Sequence, residues 1–388
     1  MPTTNARLGR LLVASTSEHD WSAPVEAAVA LAGQLDADRV LAAANYHRVV
    51  GCVQASVAGD PRTPPALVEG LAAASRRASG RSLLVLAGLR AVASTLGSGV
   101  PWLVLKGPVL DHAVYPRARL RTYRDLDVLV PPDRFEEAVE LLQGAGYRVT
   151  DRNWALIRQT MASQLHLERE GSAPIDLHWT LLFDEDLRAV FRFPVREMVA
   201  RARTVDVAGL PVATLDPVDT LVHLGVHAAA EGGDRLVWLK DVDVAARAVT
   251  DWDEVVVRSI AGGSGLPVAT MLARTARTLG SPIPEDVVAR LAPPGWRRLA
   301  AVLDRAFPAA ASRGLGSPAT LLARAVRGDT GSSLAGAAAG LRHRAGQLVR
   351  GRFHRVDRRF DAAHEGSLLH PLGDEADRAA FFDALARV

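Results

Sequence analysis

Two aspartates separated by a single residue carry the clearest chemistry in the sequence. Asp125 and Asp127 lie in an apolar segment, residues 124–130, whose composition predicts a short buried strand. Because side chains alternate between the two faces of a strand, both carboxylates are expected on one face, opposite Leu126 and Val128. Two carboxylates this close repel each other unless a cation lies between them. Oxygen ligands of this kind suit Mg²⁺ or Mn²⁺, so the pair predicts a divalent metal site.

A second acidic segment further along the chain repeats this pattern. Residues 175–179 have the composition of a strand in which Asp176 and His178 share one face. A third carboxylate from a neighbouring strand completes the ligand set for an in-line phosphoryl displacement on two metal ions. Asp125, Asp127 and Asp176 are therefore predicted to be the catalytic metal ligands. His178 is expected to orient Asp176 or contact substrate, with a packed, hydrogen-bonded histidine as the alternative.

Cationic residues lie close to the first acidic segment. Lys106 and Gly107 end a short apolar run and precede Pro108, a pattern typical of a strand, a tight turn and a helix start. Amides at a helix start favour phosphate, and the guanidinium groups of Arg121 and Arg124 match phosphate oxygens. We therefore predict a nucleotide-phosphate site formed by Lys106 and Gly107 with these two arginines. The alternative for Lys106 is an ammonium that reaches water from a strand end.

The residues of these segments together resemble a known protein family. Leu105-Lys106-Gly107, Tyr115, Arg121, Asp125-Leu-Asp127 and Asp176-Leu-His178-Trp179 look like the bacterial, uncharacterised nucleotidyltransferase-like family of the DNA polymerase β superfamily. The resemblance covers residues 100–255 and implies a small mixed sheet carrying three carboxylates. It implies that Asp125 and Asp127 bind the metals that hold a triphosphate, and that Asp176 holds the catalytic metal and helps to deprotonate an acceptor hydroxyl. The superfamily's phosphate turn is Gly-Ser or Gly-Gly, so here Lys106 and the Gly107 backbone are expected to replace the missing hydroxyl.

A later segment resembles the family's helical extension. It contains His223, His227, Trp238 and the Lys240-Asp241 pair. We predict that these histidines and charged residues, together with His178, line a substrate cleft. His223 and His227 share one helix face, which also suits a zinc pair, although Leu224 stands where a zinc protease has glutamate. The alternative for Lys240 and Asp241 is a solvated helix surface.

The elements that position these residues divide the chain into three predicted regions. Residues 1–98 are expected to be helical, including one or two helices over 65–96 whose buried side contains Leu67, Leu71, Leu83, Leu84 and Leu86. Residues 99–215 form the nucleotidyltransferase-like α/β core, with a hairpin over 164–179 and another over 203–214. Residues 216–388 are helical again and basic toward the end. The fold class is therefore α+β: a small mixed sheet flanked by helical regions.

Composition excludes several function classes. The formal net charge is +3, too small by itself to indicate a nucleic-acid or membrane protein. The sequence has neither an apolar run long enough for stable membrane insertion nor a secretory signal, so a cytoplasmic location is expected. One cysteine, Cys52, excludes an internal disulfide and is interpreted as buried. The seven arginines in 342–359 suit RNA or anionic lipid, but a solvated basic helix is the commoner explanation.

Together these features lead to a metal-dependent nucleotidyltransferase using Mg²⁺ or Mn²⁺. It would transfer a nucleoside monophosphate from a nucleoside triphosphate such as ATP to a hydroxyl-type acceptor and release pyrophosphate. The acceptor is left open between a small molecule, a peptide and a protein, with RNA less favoured. The alternative is a non-catalytic nucleotide- or partner-binding module, favoured by the unusual Lys106-Gly107-Pro108 turn. A third hypothesis, a hydrolase centred on His223 and His227, predicts bound zinc.

Overall fold

The computed structural model describes residues 4–182, 185–311, 317–338 and 373–388. The chain forms two compact units, each built from separate stretches of sequence. Of the described residues, the helical unit comprises 4–80, 110–122, 217–311 and 317–338, and the sheet unit comprises 81–109, 123–182, 185–216 and 373–388. The arginine-rich segment 342–359 lies outside the described residues. The division into three consecutive regions stays a prediction.

The helical unit is built from amphipathic helices whose apolar stripes are buried. Several helices begin at side-chain caps: Asp36 accepts a hydrogen bond from Arg39 N, and Asp251 accepts one from Glu254 N. Its helices are α1 Thr4–Ser17, α2 Glu26–Ala32, α3 Ala37–Tyr46, α4 Val50–Val57, the first half of α5 Pro65–Leu96, α10 Pro217–Ala230, α11 Leu236–Ala248, α12 Trp252–Ala261, α13 Gly265–Leu279, α14 Glu285–Leu291, α15 Pro294–Ala306 and α16 Pro318–Ala325, with a π-helical turn Leu110–Val114, a 3-10 turn Ala309–Ala311 and further helical residues at 330–338.

The sheet unit contains a seven-stranded mixed sheet in the order β3-β4-β5-β2-β1-β7-β6. The central strand β2 pairs in parallel with β5 and antiparallel with β1. The hairpin β4–β5 lies on the β2 side of this central pair, and the hairpin β6–β7 lies on the β1 side. The elements are β1 Leu103–Val104, β2 Leu126–Leu129, a 3-10 turn Pro132–Arg134, α6 Phe135–Gly144, β3 Arg148–Val149, α7 Trp154–Thr160, β4 Gln164–Glu168, β5 Ile175–His178, α8 Glu185–Arg188, α9 Val195–Ala200, β6 Arg203–Val207, β7 Leu210–Thr214 and α17 Glu375–Leu385.

The two faces of this sheet differ in chemistry. Alternate residues of the central strands, among them Leu126, Val128 and Leu177, join a large apolar core that includes residues of α5, α6 and α17. On the opposite face a smaller core contains Leu129 and Met198. Period-two alternation therefore fixes which residues remain on the second face: Asp127, Asp176 and His178.

The predicted α+β class with a small mixed sheet is confirmed, as are both hairpins. The stretch 65–96, predicted to form one or two helices, is the single helix α5, and Leu67, Leu71 and Leu86 are buried in it. Leu83 and Leu84 were expected on the same buried side, and this is wrong, since they are 67% and 48% exposed. In the second half of α5 the buried stripe consists of Val85, Leu89, Val92 and Leu96, and Leu83 and Leu84 lie outside this stripe. None of the helices in the described ranges is both long and apolar enough to span a bilayer.

Candidate functional site

Polar residues from neighbouring strands form a row across the face of the sheet opposite the large apolar core. The parallel pairing of β2 with β5 places Asp127 directly opposite Asp176. The antiparallel pairing of β5 with β4 then places His166 opposite Asp176 on the other side. Asp127, Asp176 and His178 each bring one potential ligand atom to within 4.8 Å of the others. Among the described residues this is the one group of three or more acidic, histidine or cysteine side chains that could hold a metal ion.

Asp127 is the most deeply buried member of this group, with 3% of its surface exposed. Its Oδ1 atom lies 3.3 Å from Lys106 Nζ and 3.3 Å from His178 Nε2. Burial alone raises the pKa of Asp127, but the Lys106 charge and the His178 hydrogen bond outweigh it and hold the pKa well below its ordinary value. The second oxygen, Oδ2, is buried and has no hydrogen-bond partner among the described residues.

The opposite carboxylate, Asp176, is held by a residue that the sequence interpretation missed. Its Oδ1 contacts Nδ1 of His166 on the adjacent strand. The His166 backbone amide donates a 2.7 Å hydrogen bond to Oδ2 of the buried Asp151, which fixes this part of β4. Burial lowers the pKa of His166, but the hydrogen bond and charge of Asp176, together with the charges of Asp151 and Asp125, raise it above its ordinary value.

The turn after β1 brings the ammonium of Lys106 to the carboxylates. The Leu105 amide donates to the Asp127 carbonyl at 3.2 Å, so the chain leaves the sheet immediately beside Asp127. Gly107 follows with φ +63°, a left-handed conformation that side chains disfavour, and helical residues begin at Pro108. The strand, turn and helix start expected at Lys106-Gly107-Pro108 are therefore present.

Two other predicted residues lie just before β2. Asp125 precedes the strand, is exposed, and is not part of the group formed by Asp127, Asp176 and His178. Its charge nevertheless contributes to the raised pKa of His166. Arg124 is exposed beside it. Both residues therefore belong to the end of the strand rather than to its buried face.

Arg121 and Asp241 are brought together in the helical unit. Arg121 donates from Nε and Nη2 to the two oxygens of Asp241, at 2.8 and 3.0 Å. The Tyr115 hydroxyl donates to the same carboxylate at 2.7 Å, and Asp241 is 2% exposed. The alternative of a solvated helix surface for Asp241 is therefore wrong. The buried pair fixes residues 115–121 against α11.

The second lysine forms a separate buried network on α11. Lys240 is fully buried and donates to Asp243 Oδ2 at 2.8 Å and to the Glu18 carbonyl at 3.0 Å. Its ammonium also lies 5.1 Å from the centre of the Trp21 ring. A solvated position for Lys240 is therefore also wrong. Cys52 is buried as expected, and burial raises the pKa of its thiol to about 12, which disfavours the thiolate form.

His223 and His227 share one face of α10, as their spacing predicts. Their ring centres are 6.0 Å apart, and the His227 ring meets Trp238 edge-on. His223 is buried. No third histidine, cysteine or carboxylate joins them to form a metal group in the part of the chain that the structure describes. Their expected place in a substrate cleft stays a prediction.

The group around Asp127 has the chemistry of a divalent metal site. A buried carboxylate oxygen without a partner is costly, and a cation is one way to satisfy it. The oxygens of the two carboxylates suit both Mg²⁺ and Mn²⁺ as ligands. The imidazole nitrogen suits Mn²⁺. Asp127, Asp176 and His178 therefore fit a bound divalent ion.

Residues 33–280 match the model of a protein family described as uncharacterised nucleotidyltransferase. The match covers well over half of the chain and includes every member of the metal group, the Lys106-Gly107 turn and helices α10 and α11. No curated protein matches the chain.

Proposed function

Because this chain belongs to the uncharacterised nucleotidyltransferase family, we propose that it transfers a nucleoside monophosphate from a nucleoside triphosphate to a hydroxyl-type acceptor. The observation that supports the proposal is the group of Asp127, Asp176 and His178, in which a buried oxygen of Asp127 has no partner among the residues that the structure describes. Asp127 and Asp176 would hold Mg²⁺ or Mn²⁺, with His178 as a third ligand or as a hydrogen-bond partner of Asp127. The ion would supply charge neutralisation and polarisation of the phosphate oxygens.

The residues of the turn and of the strand end bind the nucleotide in this proposal. The Lys106 ammonium and the Gly107 amide contact phosphate oxygens where related turns have a hydroxyl. Arg124 adds a guanidinium and Asp125 adds a carboxylate at the exposed start of β2. Arg121 is bound bidentately to Asp241, so we assign it first to holding the chain segment before β2 and only second to phosphate.

Asp176 receives the proton that the reaction releases. Its Oδ1 contacts His166 Nδ1, which holds the carboxylate in place on the strand. As the acceptor oxygen bonds to the α-phosphorus, the α–β phosphoanhydride bond breaks and pyrophosphate leaves with that electron pair. The acceptor proton moves to the Asp176 carboxylate. We propose a small molecule, a peptide or a protein as acceptor, with His223 and His227 as candidate contacts and RNA less favoured.

The proposal is tested by Mn²⁺ titration of the metal-free protein, followed by electron paramagnetic resonance or calorimetry. We expect one or two bound ions in the unaltered chain and loss of binding in Asp127→Asn and Asp176→Asn. Asp383→Asn, which removes an exposed carboxylate from α17 of the same unit, is the matched control and retains binding. Equal binding by Asp127→Asn and the control would overturn the metal site. Release of pyrophosphate from labelled triphosphates with added acceptor classes then tests the transfer itself.

A non-catalytic nucleotide-binding module is the second candidate. It is favoured by the Lys106-Gly107-Pro108 turn, which lacks a hydroxyl, and by the ion pair that Lys106 makes with Asp127. It shares the metal and nucleotide site but predicts that no acceptor class yields pyrophosphate. The two candidates therefore separate on the pyrophosphate measurement and not on binding.

A further inference from the structure

Lys106 competes for the carboxylate that the proposed metal needs. Its Nζ lies 3.3 Å from Asp127 Oδ1, and Asp127 is 3% exposed. The Lys106 side chain keeps 22% of its surface exposed, so it borders solvent as well as the carboxylate. The two groups thus form an ion pair in which one partner lies on a strand of the sheet and the other on the turn that follows β1.

This pair answers an electrostatic problem of the metal-free protein. A buried carboxylate without a cation is strongly unfavourable, and the nearby charge of Asp176 makes it more so. The ammonium compensates Asp127 through Oδ1 while Oδ2 stays without a partner among the described residues. A divalent ion and the Lys106 ammonium on the same carboxylate would repel each other, so each cation weakens the binding of the other.

We propose that Lys106 is the resident counter-cation of Asp127 in the metal-free protein and passes to the triphosphate when a divalent ion takes its place. The proposal rests on the metal-dependent function above and adds its regulation. Metal alone must displace the ammonium and so binds weakly. Metal together with triphosphate binds well, because the displaced ammonium gains phosphate oxygens in exchange. The site is thereby kept from filling with metal before the nucleotide arrives.

A lysine suits this exchange better than an arginine. An ammonium is a compact charge on a flexible stem, with three donors that rotate freely, so it can leave one oxygen and approach another. A guanidinium grips a carboxylate with two parallel hydrogen bonds, as Arg121 does on Asp241. Of the 46 basic residues in this chain, only Lys106 and Lys240 are lysines.

The test is Mn²⁺ binding without nucleotide, measured by electron paramagnetic resonance on the metal-free full chain. Lys106→Met is expected to bind Mn²⁺ about tenfold more tightly than the unaltered protein. This factor assumes that the ion pair with Lys106 is formed in about nine-tenths of the unaltered molecules, which leaves about one-tenth ready to bind the ion. Arg148→Met removes a charge from an exposed position on β3 and controls for the general loss of positive charge. Affinity in Lys106→Met that is no higher than in Arg148→Met overturns the proposal.

Two further measurements keep the result interpretable. Lys106→Gln, which retains a polar group, is expected to show the same gain, and Mn²⁺ should raise the thermal midpoint of both Lys106 variants more than that of the unaltered protein. Asp127→Asn separates the two hypotheses. If no variant binds Mn²⁺, the proposed metal site fails. If all Lys106 variants and the unaltered protein bind equally and Asp127→Asn does not, the site stands and the counter-cation role fails.

Discussion

The two lysines of the chain each pair with a buried aspartate, and the two pairs differ in one respect. Lys106 meets Asp127 in the sheet unit, and Lys240 meets Asp243 in the helical unit. Both carboxylates are at least 97% buried. Burial pulls the pKa of each upward, but the neighbouring lysine and other donors hold both below the ordinary value. Burial and charge pairing alone therefore do not distinguish a structural pair from a site.

The difference is how completely each carboxylate is satisfied. Asp243 accepts from Lys240 on Oδ2, and from Arg247 at 3.1 Å and Ser281 at 2.6 Å on Oδ1. Asp127 has both of its contacts on Oδ1, while Oδ2 is buried without a partner among the described residues. A saturated carboxylate stabilises the fold, whereas an unsaturated one keeps capacity for a ligand. We infer that Lys240 anchors the helical unit and that Lys106 belongs to the reaction site.

Removing the carboxylate of each pair gives the largest expected contrast. Asp127→Asn should weaken Mn²⁺ binding by about 100-fold or more, since it removes a ligand rather than a supporting group. Its stability should change little, because the partly exposed Lys106 can reach water. Asp243→Asn should leave Mn²⁺ binding unchanged but lower the free energy of unfolding by about 3–5 kcal/mol, because it leaves the buried Lys240 charge without its partner.

Mn²⁺ titration and urea unfolding of both variants check this contrast. The comparison breaks if the two variants lose metal binding equally, or if Asp127→Asn is the more destabilised protein.

His166 gives the next largest effect. His166→Ala should weaken Mn²⁺ binding by about 10- to 100-fold, as expected when a group that orients a metal ligand is removed. The contact of its Nδ1 with Asp176 Oδ1 is the reason. His166→Asn, which can return a nitrogen donor to the same place, should recover part of the loss. His19→Ala removes a histidine from the Lys240 network and is the matched control.

The measurement is Mn²⁺ affinity beside the thermal midpoint of each variant. A drop in midpoint without a change in affinity would reduce His166 to a packing residue.

Sequence alternation predicted which face Asp127, Asp176 and His178 occupy, because the strand period leaves no other choice once the apolar side is known. It did not predict His166. That contact depends on the register between β4 and β5. The conformation of the loop that joins the two strands sets this register, and the alternation pattern does not predict that conformation. The pairing of β2 with β5 is likewise a long-range contact that no local pattern specifies.

The helical unit was harder to predict for the same reason. Lys240 and Asp241 stand side by side on α11, and the pattern alone allowed a solvated surface. Their partners come from distant segments: Glu18 and Trp21 for the lysine, Arg121 for the aspartate. Charged residues are buried only where such partners exist, and their positions are set by the fold rather than by neighbouring residues.

Exchanging each lysine for arginine sharpens the comparison at a smaller scale. Lys106→Arg should weaken triphosphate binding by about tenfold, the equivalent of one charge-assisted hydrogen bond. A guanidinium can bind Asp127 through two hydrogen bonds, so its transfer to phosphate costs more free energy than that of an ammonium. Lys240→Arg should leave triphosphate binding unchanged. It should instead destabilise the protein by about 1–3 kcal/mol, since a larger group enters a fully buried position.

Calorimetric titration with a non-hydrolysable triphosphate and Mn²⁺ measures the first effect, and thermal unfolding measures the second. Undiminished triphosphate binding by Lys106→Arg would show that the shape of the cation at this turn does not matter.

The smallest expected effect is a response of the Lys240 network to acid. His19 faces Lys240, Asp243 and Arg247, and its pKa is lowered from the ordinary 6.5 by burial and by the Lys240 charge. A lowered pKa in the folded protein means that the unfolded chain takes up the proton first. The contribution of His19 is therefore present above about pH 6.5 and is lost as pH falls below it. Asp243, whose pKa is also lowered, adds a second loss below its ordinary 3.8.

His19→Gln should flatten the decline of the thermal midpoint between about pH 7 and about pH 5 and leave the decline at lower pH in place. His19 is partly exposed, so the difference should be modest but of defined sign. Mn²⁺ affinity of this variant at pH 7 should equal that of the unaltered protein, since its contacts are with the saturated carboxylate. A midpoint curve identical to that of the unaltered chain would mean that the neutral imidazole contributes nothing to the network, and would leave Asp243 as its only acid-sensitive member.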